Sequence, residues 1–143
     1  MSSTIKTYDG KKVKIIVGGF PISGVADNTF VKIERDEDTF MKKIGAYGEA
    51  SRSKNNNRSG TATITLLQTS PSNDILSALA LTDELTNTGI VPFLVQDLSG
   101  TSTFVSATAW IKRPASSEFG KEISNREWNF ELIDMDVFVG GNL

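Results

Sequence analysis

Thr61-Ala62-Thr63-Ile64-Thr65-Leu66 places Ala62, Ile64 and Leu66 on one side of an extended chain and Thr63 and Thr65 on the other. A period of two is the signature of a strand with one buried face. The same rhythm recurs along most of the chain. Val13, Ile15 and Val17 share a face in residues 12–18, and the run stops at Gly18-Gly19 and Pro21. Residues 28–36 alternate Thr29, Val31 and Ile33 with Phe30, Lys32 and Glu34. Residues 101–112 set Thr103, Val105, Ala107, Ala109 and Ile111 against Phe104, Ser106, Thr108 and Trp110, and residues 124–139 set Trp128, Phe130 and Leu132 against Glu127, Asn129 and Glu131. Residues 90–98 read as a strand whose first part Pro92 assigns to a sheet edge, because proline donates no ladder hydrogen bond. Leu98-Ser99-Gly100-Thr101 makes a hairpin turn to the next strand.

One segment departs from this rhythm. Ser70-Pro71-Ser72-Asn73-Asp74 predicts a helix start, with Ser70 as N-cap, Pro71 in the first position and Asp74 in the first turn, where the dipole favours a negative charge. Ile75, Leu76, Leu79, Ala80 and Leu81 supply an apolar face for packing on a sheet, and Asn87-Thr88-Gly89 closes the helix.

Residues 45–60 have no period. Within them, residues 50–59 have Ala50 as their only apolar side chain, and Arg52, Lys54, Asn56 and Arg58 make the stretch polar and basic. A loop this long in a compact domain is a mobile surface segment or a functional one, here an arm that docks on a neighbouring subunit.

The chain has 143 residues, 38% hydrophobic and 22% charged, which suits one globular domain, residues 1–143, with its own core. It contains no Cys and no His, so disulfides, Cys or His metal sites, Cys nucleophiles and imidazole bases are excluded. Residues 1–14 are polar, without the apolar stretch of a signal peptide, and the longest apolar runs are too short to span a bilayer. The expectation is a soluble protein made in the cytoplasm, with no membrane insertion. The net charge of −2 does not suit a protein that grips nucleic acid by its phosphates.

No stretch completes a catalytic or cofactor motif. Gly18-Gly19-Phe20-Pro21-Ile22-Ser23-Gly24 lacks the Lys and Ser or Thr of a phosphate loop and reads as a turn. Asp36-Glu37-Asp38 lacks the alternation and glycine of a calcium loop and reads as a solvated turn. Asn57-Arg58-Ser59 matches a glycosylation sequon only by chance in a chain without a signal peptide. Trp110 and Trp128 read as core or interface anchors. The expectation is no enzyme, no cofactor and no metal.

Several stretches together carry a resemblance: Leu67-Gln68-Thr69-Ser70-Pro71-Ser72-Asn73-Asp74-Ile75-Leu76; Val31-Lys32-Ile33-Glu34-Arg35-Asp36-Glu37-Asp38 followed by Gly45-Ala46-Tyr47-Gly48-Glu49; Ile111-Lys112-Arg113-Pro114; and Arg126-Glu127-Trp128 with Phe138-Val139-Gly140-Gly141-Asn142. In this order they cover most of the chain, which resembles the tail tube proteins of contractile-tailed bacteriophages. The resemblance implies a mainly β fold of two packed antiparallel sheets, sandwich- or barrel-like, with one flanking α-helix. It implies sheets that join across subunits into a ring barrel, hexameric rings stacked into a hollow tube, and a place in the virion. The implied partners are further copies of the chain, a contractile sheath protein, baseplate and tail terminator proteins, and phage DNA passing without specific binding. Glu34, Thr63, Thr65, Glu127, Asn129 and Glu131, opposite the apolar strand faces, are the candidates for a polar, mainly acidic lumen. Arg52, Lys54, Asn56 and Arg58 are the candidates for contact between rings. The rival class is a small soluble β-sandwich that recognises protein or carbohydrate through its loops.

Overall fold

The computed structural model describes residues 5–143, and the larger of its two sheets encloses one hydrophobic core. After a short 3-10 turn (Gly10–Lys12) come β1 (Val13–Val17), β2 (Phe20–Pro21), β3 (Val31–Arg35), β4 (Phe40–Ile44), β5 (Ala50–Lys54) and β6 (Gly60–Leu67). Helix α1 (Ser72–Thr86) follows, then β7 (Val91–Asp97), β8 (Thr103–Arg113), β9 (Asn125–Ile133) and β10 (Asp136–Phe138). The architecture is mainly β, with two antiparallel sheets and one helix. The larger sheet has the order β2-β1-β7-β8-β9-β6-β3, with β10 added to β8, and the smaller is the β4-β5 pair.

Alternation builds the core. Ala62, Ile64 and Leu66 of β6 and Trp128, Phe130 and Leu132 of β9 are buried, in direct register as Ala62–Phe130 and Ile64–Trp128. Ile15 and Val17 of β1, far away in the strand order, join the same cluster. The large sheet therefore coils until its two halves meet over one core, which makes it sandwich-like. The Phe93 and Phe130 rings meet inside at 5.2 Å and 51°. Fully burying such side chains contributes about 2–3 kcal/mol each. The coil does not close into a barrel: among the described residues β3 pairs only with β6, and its other side is an open edge.

Helix α1 forms close to the expected span and packs Leu76, Leu79 and Ala80 on the core. It begins at Ser72, with Pro71 and not Ser70 at the N-cap, and Leu81, expected on the packed face, is exposed. Ser70 shapes its entry, its Oγ accepting the Ser72 N–H at 3.2 Å and donating to the Ser23 carbonyl at 2.5 Å. Ser23 N–H in turn donates to Ser72 Oγ at 2.9 Å. Gly24 approaches Ser70 so closely, at φ +70°, that no side chain fits there. Asn87, in the left-handed region at φ 59°, ends the helix.

Four further expectations change. Residues 124–139 are not one strand: the run breaks after Ile133, with Asp134 in the left-handed region at φ 48°, and β10 turns to pair with β8. Pro92 is not at an edge, because β7 lies between β1 and β8; the missing N–H falls at a bulge, where the register shifts between Val91 and Phe93. Strand β8 does not keep one parity. Phe104 and Ser106 face inward in its first half and Ala109 and Ile111 in its second, so the alternation slips by one residue midway. Residues 45–60 are not a loop throughout: β5 pairs with β4 from Phe40–Lys54 to Ile44–Ala50, making a hairpin arm. Every residue of both strands is exposed, and an arm with no buried face has no reason to alternate.

Candidate assembly surfaces

Two surfaces concentrate the candidate residues. The first is the outward face of the β3-β6-β9 half of the large sheet. Cross-strand register sets Thr63 opposite Asn129, Thr65 opposite Glu127 and Thr61 opposite Glu131, while Glu34 of β3 stands opposite Thr61. Thr63 Oγ1 donates to Asn129 Oδ1 at 2.8 Å. The structure thus brings all six expected residues onto one face. It also adds cations. Lys32 lies opposite Thr63, Arg113 lies opposite Asn129, and Lys112 Nζ is 3.2 Å from Glu131 Oε1. With Glu118 of the adjoining cleft, four carboxylates share the face with three cations, so it is polar and of mixed charge. An open cleft of about 300 Å³ on it is lined by Arg113, Ser116, Glu118, Asn125, Glu127 and Asn129.

The second surface is the arm. Phe40, Met41, Ile44 and Tyr47 are exposed on it together with Lys42, Lys43, Arg52 and Lys54. Arg52 lies over the Phe40 ring at 4.0 Å, a cation–π contact within the hairpin. Lys54 and Asn56 make no side-chain hydrogen bond or ion pair among the described residues. Arg58 is different, for it belongs to the root of the arm. It pairs with Asp134 at 2.8 Å and with Asp136, its carbonyl accepts the Met135 N–H at 2.8 Å, and Arg35 Nη2 donates to Met135 O at 2.7 Å. The hydrogen bond to Asp136, followed by the field of Asp134, holds the Arg58 guanidinium above its ordinary pKa.

The acidic turn also belongs to this root. Asp36 accepts hydrogen bonds from Ser59 Oγ at 3.2 Å and Thr61 Oγ1 at 2.8 Å, while Glu37 accepts from Asn55 and Asn57. Side chains read separately as a solvated turn and a polar loop are two halves of one joint. The exposed Phe40, Met41 and Ile44 were missed by the sequence reading; the signal was Phe40-Met41 and Ile44 on either side of Lys42-Lys43, ahead of the Tyr47-Gly48 turn. Among the described residues no group of three or more acidic side chains is placed to hold a metal ion, and no helix is long and apolar enough to cross a membrane.

Residues 9–140 match the family model of the bacteriophage PhiTE tail tube protein. The chain belongs to that family. This tail tube family member is therefore a structural component of a phage tail and of the virion, not an enzyme. It is 29% identical, over a 150-residue alignment, to structural protein ORF10 of Pseudomonas phage KPP10, covering 99% of this chain and 87% of that one. Its fold is similar to the sheath/tube terminator of an extracellular contractile injection system, PVC (TM-score 0.67, 12% identity, 96% of this chain and 100% of that one). It is similar too to the tube-terminating cap of the anti-feeding prophage (TM-score 0.68, 8% identity, 96% and 95% covered).

Proposed function

We propose that this tail tube family member forms hexameric rings that stack into the hollow inner tube of a contractile tail, inside the sheath, and that phage DNA passes through the lumen. Family membership carries the proposal. The open edge of β3 supports the ring step, since its free N–H and C=O groups suit a strand from a neighbouring subunit and ring closure removes the exposed edge. The solved structures of similar fold come from contractile systems, which supports a sheath around the tube and terminator and baseplate proteins at its ends. The polar face carrying Glu34, Thr63, Thr65, Glu127, Asn129 and Glu131 is assigned to the lumen. A wall of hydroxyls, amides and mixed charge, with carboxylates outnumbering cations, has no net positive field to retain phosphates. Arg52, Lys54 and Asn56 are assigned to contact with the adjacent ring, with Arg58 holding the arm at its root.

Negative-stain microscopy and light scattering of purified protein at several concentrations test this. Rings or tubes are expected. A strictly monomeric particle at high concentration, and also in lysates and virions, overturns the proposal and returns the monomeric binding module to first place.

A further inference from the structure

Helix α1 turns one face to solvent. Asp74, Ala78, Leu81, Glu84 and Leu85 recur there at helical spacing and are all exposed, Leu81 at 56% and Leu85 at 74%. The helix carries Asp74, Asp83 and Glu84 but no Lys or Arg. Asp83 is engaged in closing the helix, accepting the Gly89 N–H at 3.1 Å. Glu84 has no ion pair among the described residues, and near the C-terminal end of a helix a negative charge is disfavoured by the dipole.

The arm is the complement of this face. Residues 40–54 hold Lys42, Lys43, Arg52 and Lys54 against the single acid Glu49, a charge of +3 in a chain of net charge −2, which leaves −5 on everything else. Register puts Phe40, Lys42, Ile44, Ala50, Arg52 and Lys54 on one side of the hairpin. Lys42 stands directly opposite Arg52, and like charges so placed are unfavourable until an anion lies between or over them. The dimensions agree: the five-residue strand runs about 14 Å, and the helix from Asp74 to Leu85 rises about 16 Å. Within its own chain the arm leaves both its strands exposed and does not cover the helix.

We propose that the cationic face of one copy's arm docks on the outer face of α1 of a second copy. Phe40 and Ile44 lie against Leu81 and Leu85, and Lys42, Arg52 and Lys54 meet Glu84 and Asp74. This rests on the tube proposal and names where the arm of one subunit lands on the next. Two charge placements that are unfavourable in the isolated subunit then compensate each other.

The absence of native cysteine makes a cross-link the direct test. Full-length Ile44→Cys protein is mixed with Leu85→Cys protein under assembly conditions and oxidised. A disulfide-linked heterodimer is expected from the mixture, with neither variant linking to itself. In parallel, Lys42→Glu with Lys54→Glu should abolish tubes at low salt, and adding Asp74→Lys with Glu84→Lys should restore them. All these positions are exposed, so circular dichroism should report an unchanged fold. Tubes that form without the cross-link, and that tolerate Asp74→Lys with Glu84→Lys, overturn the docking site while the tube proposal stands. Monomers at every concentration, with no rings, overturn both.

Discussion

Arg126 sits on the buried side of β9, in register with Leu66, at 6% exposure. Its guanidinium has no ion pair among the described residues. It donates instead to Ser124 Oγ at 2.7 Å, Glu118 O at 3.1 Å and Asn125 O at 3.2 Å, and it lies 5.2 Å from the Phe119 ring. One side chain thus gathers the segment between β8 and β9, which has little else to hold it. Arg126→Met keeps an unbranched apolar stem, though a shorter one, and removes its donors. Losing these charge-assisted hydrogen bonds should cost about 2 kcal/mol. Thermal unfolding should show the loss, and amide exchange should rise across residues 116–124 first. Unchanged exchange there would show that the segment holds itself.

The arm behaves as a separate element. Neither of its strands buries a residue, and its root is held by Arg58, Asn55, Asn57 and the Asp36-Glu37 turn. An isolated two-stranded hairpin is marginal in water, so the root and any partner decide whether it is ordered. Replacing residues 41–53 by a short Gly-Ser link should leave the melting temperature nearly unchanged and prevent assembly, as read by circular dichroism and microscopy. Carrying the replacement through Arg58 should also lower the melting temperature, because Asp134 and Asp136 lose their cation. If the shorter replacement unfolds the subunit, the arm has a role in the core that its exposure does not show.

At the scale of the whole molecule, function turns on where the outward face of β3-β6-β9 points. Glu131 is offset by Lys112 at 3.2 Å, whereas Glu34 and Glu127 have no ion pair among the described residues and are the carboxylates able to act on a passing polyanion. In a ring each substitution is repeated in every subunit. Glu34→Lys with Glu127→Lys should therefore allow tubes to form, yet slow or trap genome ejection at low salt, with the defect easing as salt rises. Normal ejection at low salt from well-formed tubes would place this face elsewhere than the lumen.

By itself the sequence determined most of the strands that have a buried side, because alternation records burial directly. Ile64 with Leu66, Trp128 with Phe130 and Ile15 with Val17 show this, and Ser70-Pro71 marks the helix for an equally local reason. The excluded chemistry was also legible, since without Cys or His most metal and nucleophile sites have no ligands. Only the tertiary structure decided what depends on neighbours distant in the chain. It put Pro92 inside the sheet at a bulge, shifted the parity of β8, and brought Arg113 and Lys112 beside Asn129 and Glu131, turning an apparently acidic face into one of mixed charge. It also paired β5 with β4 and turned Arg58 toward Asp134 and Asp136. A period of two reports which side of a strand is dry. It carries no information about which strand lies alongside, nor about a hairpin dry on neither side, and those contacts are set by long-range packing and charge.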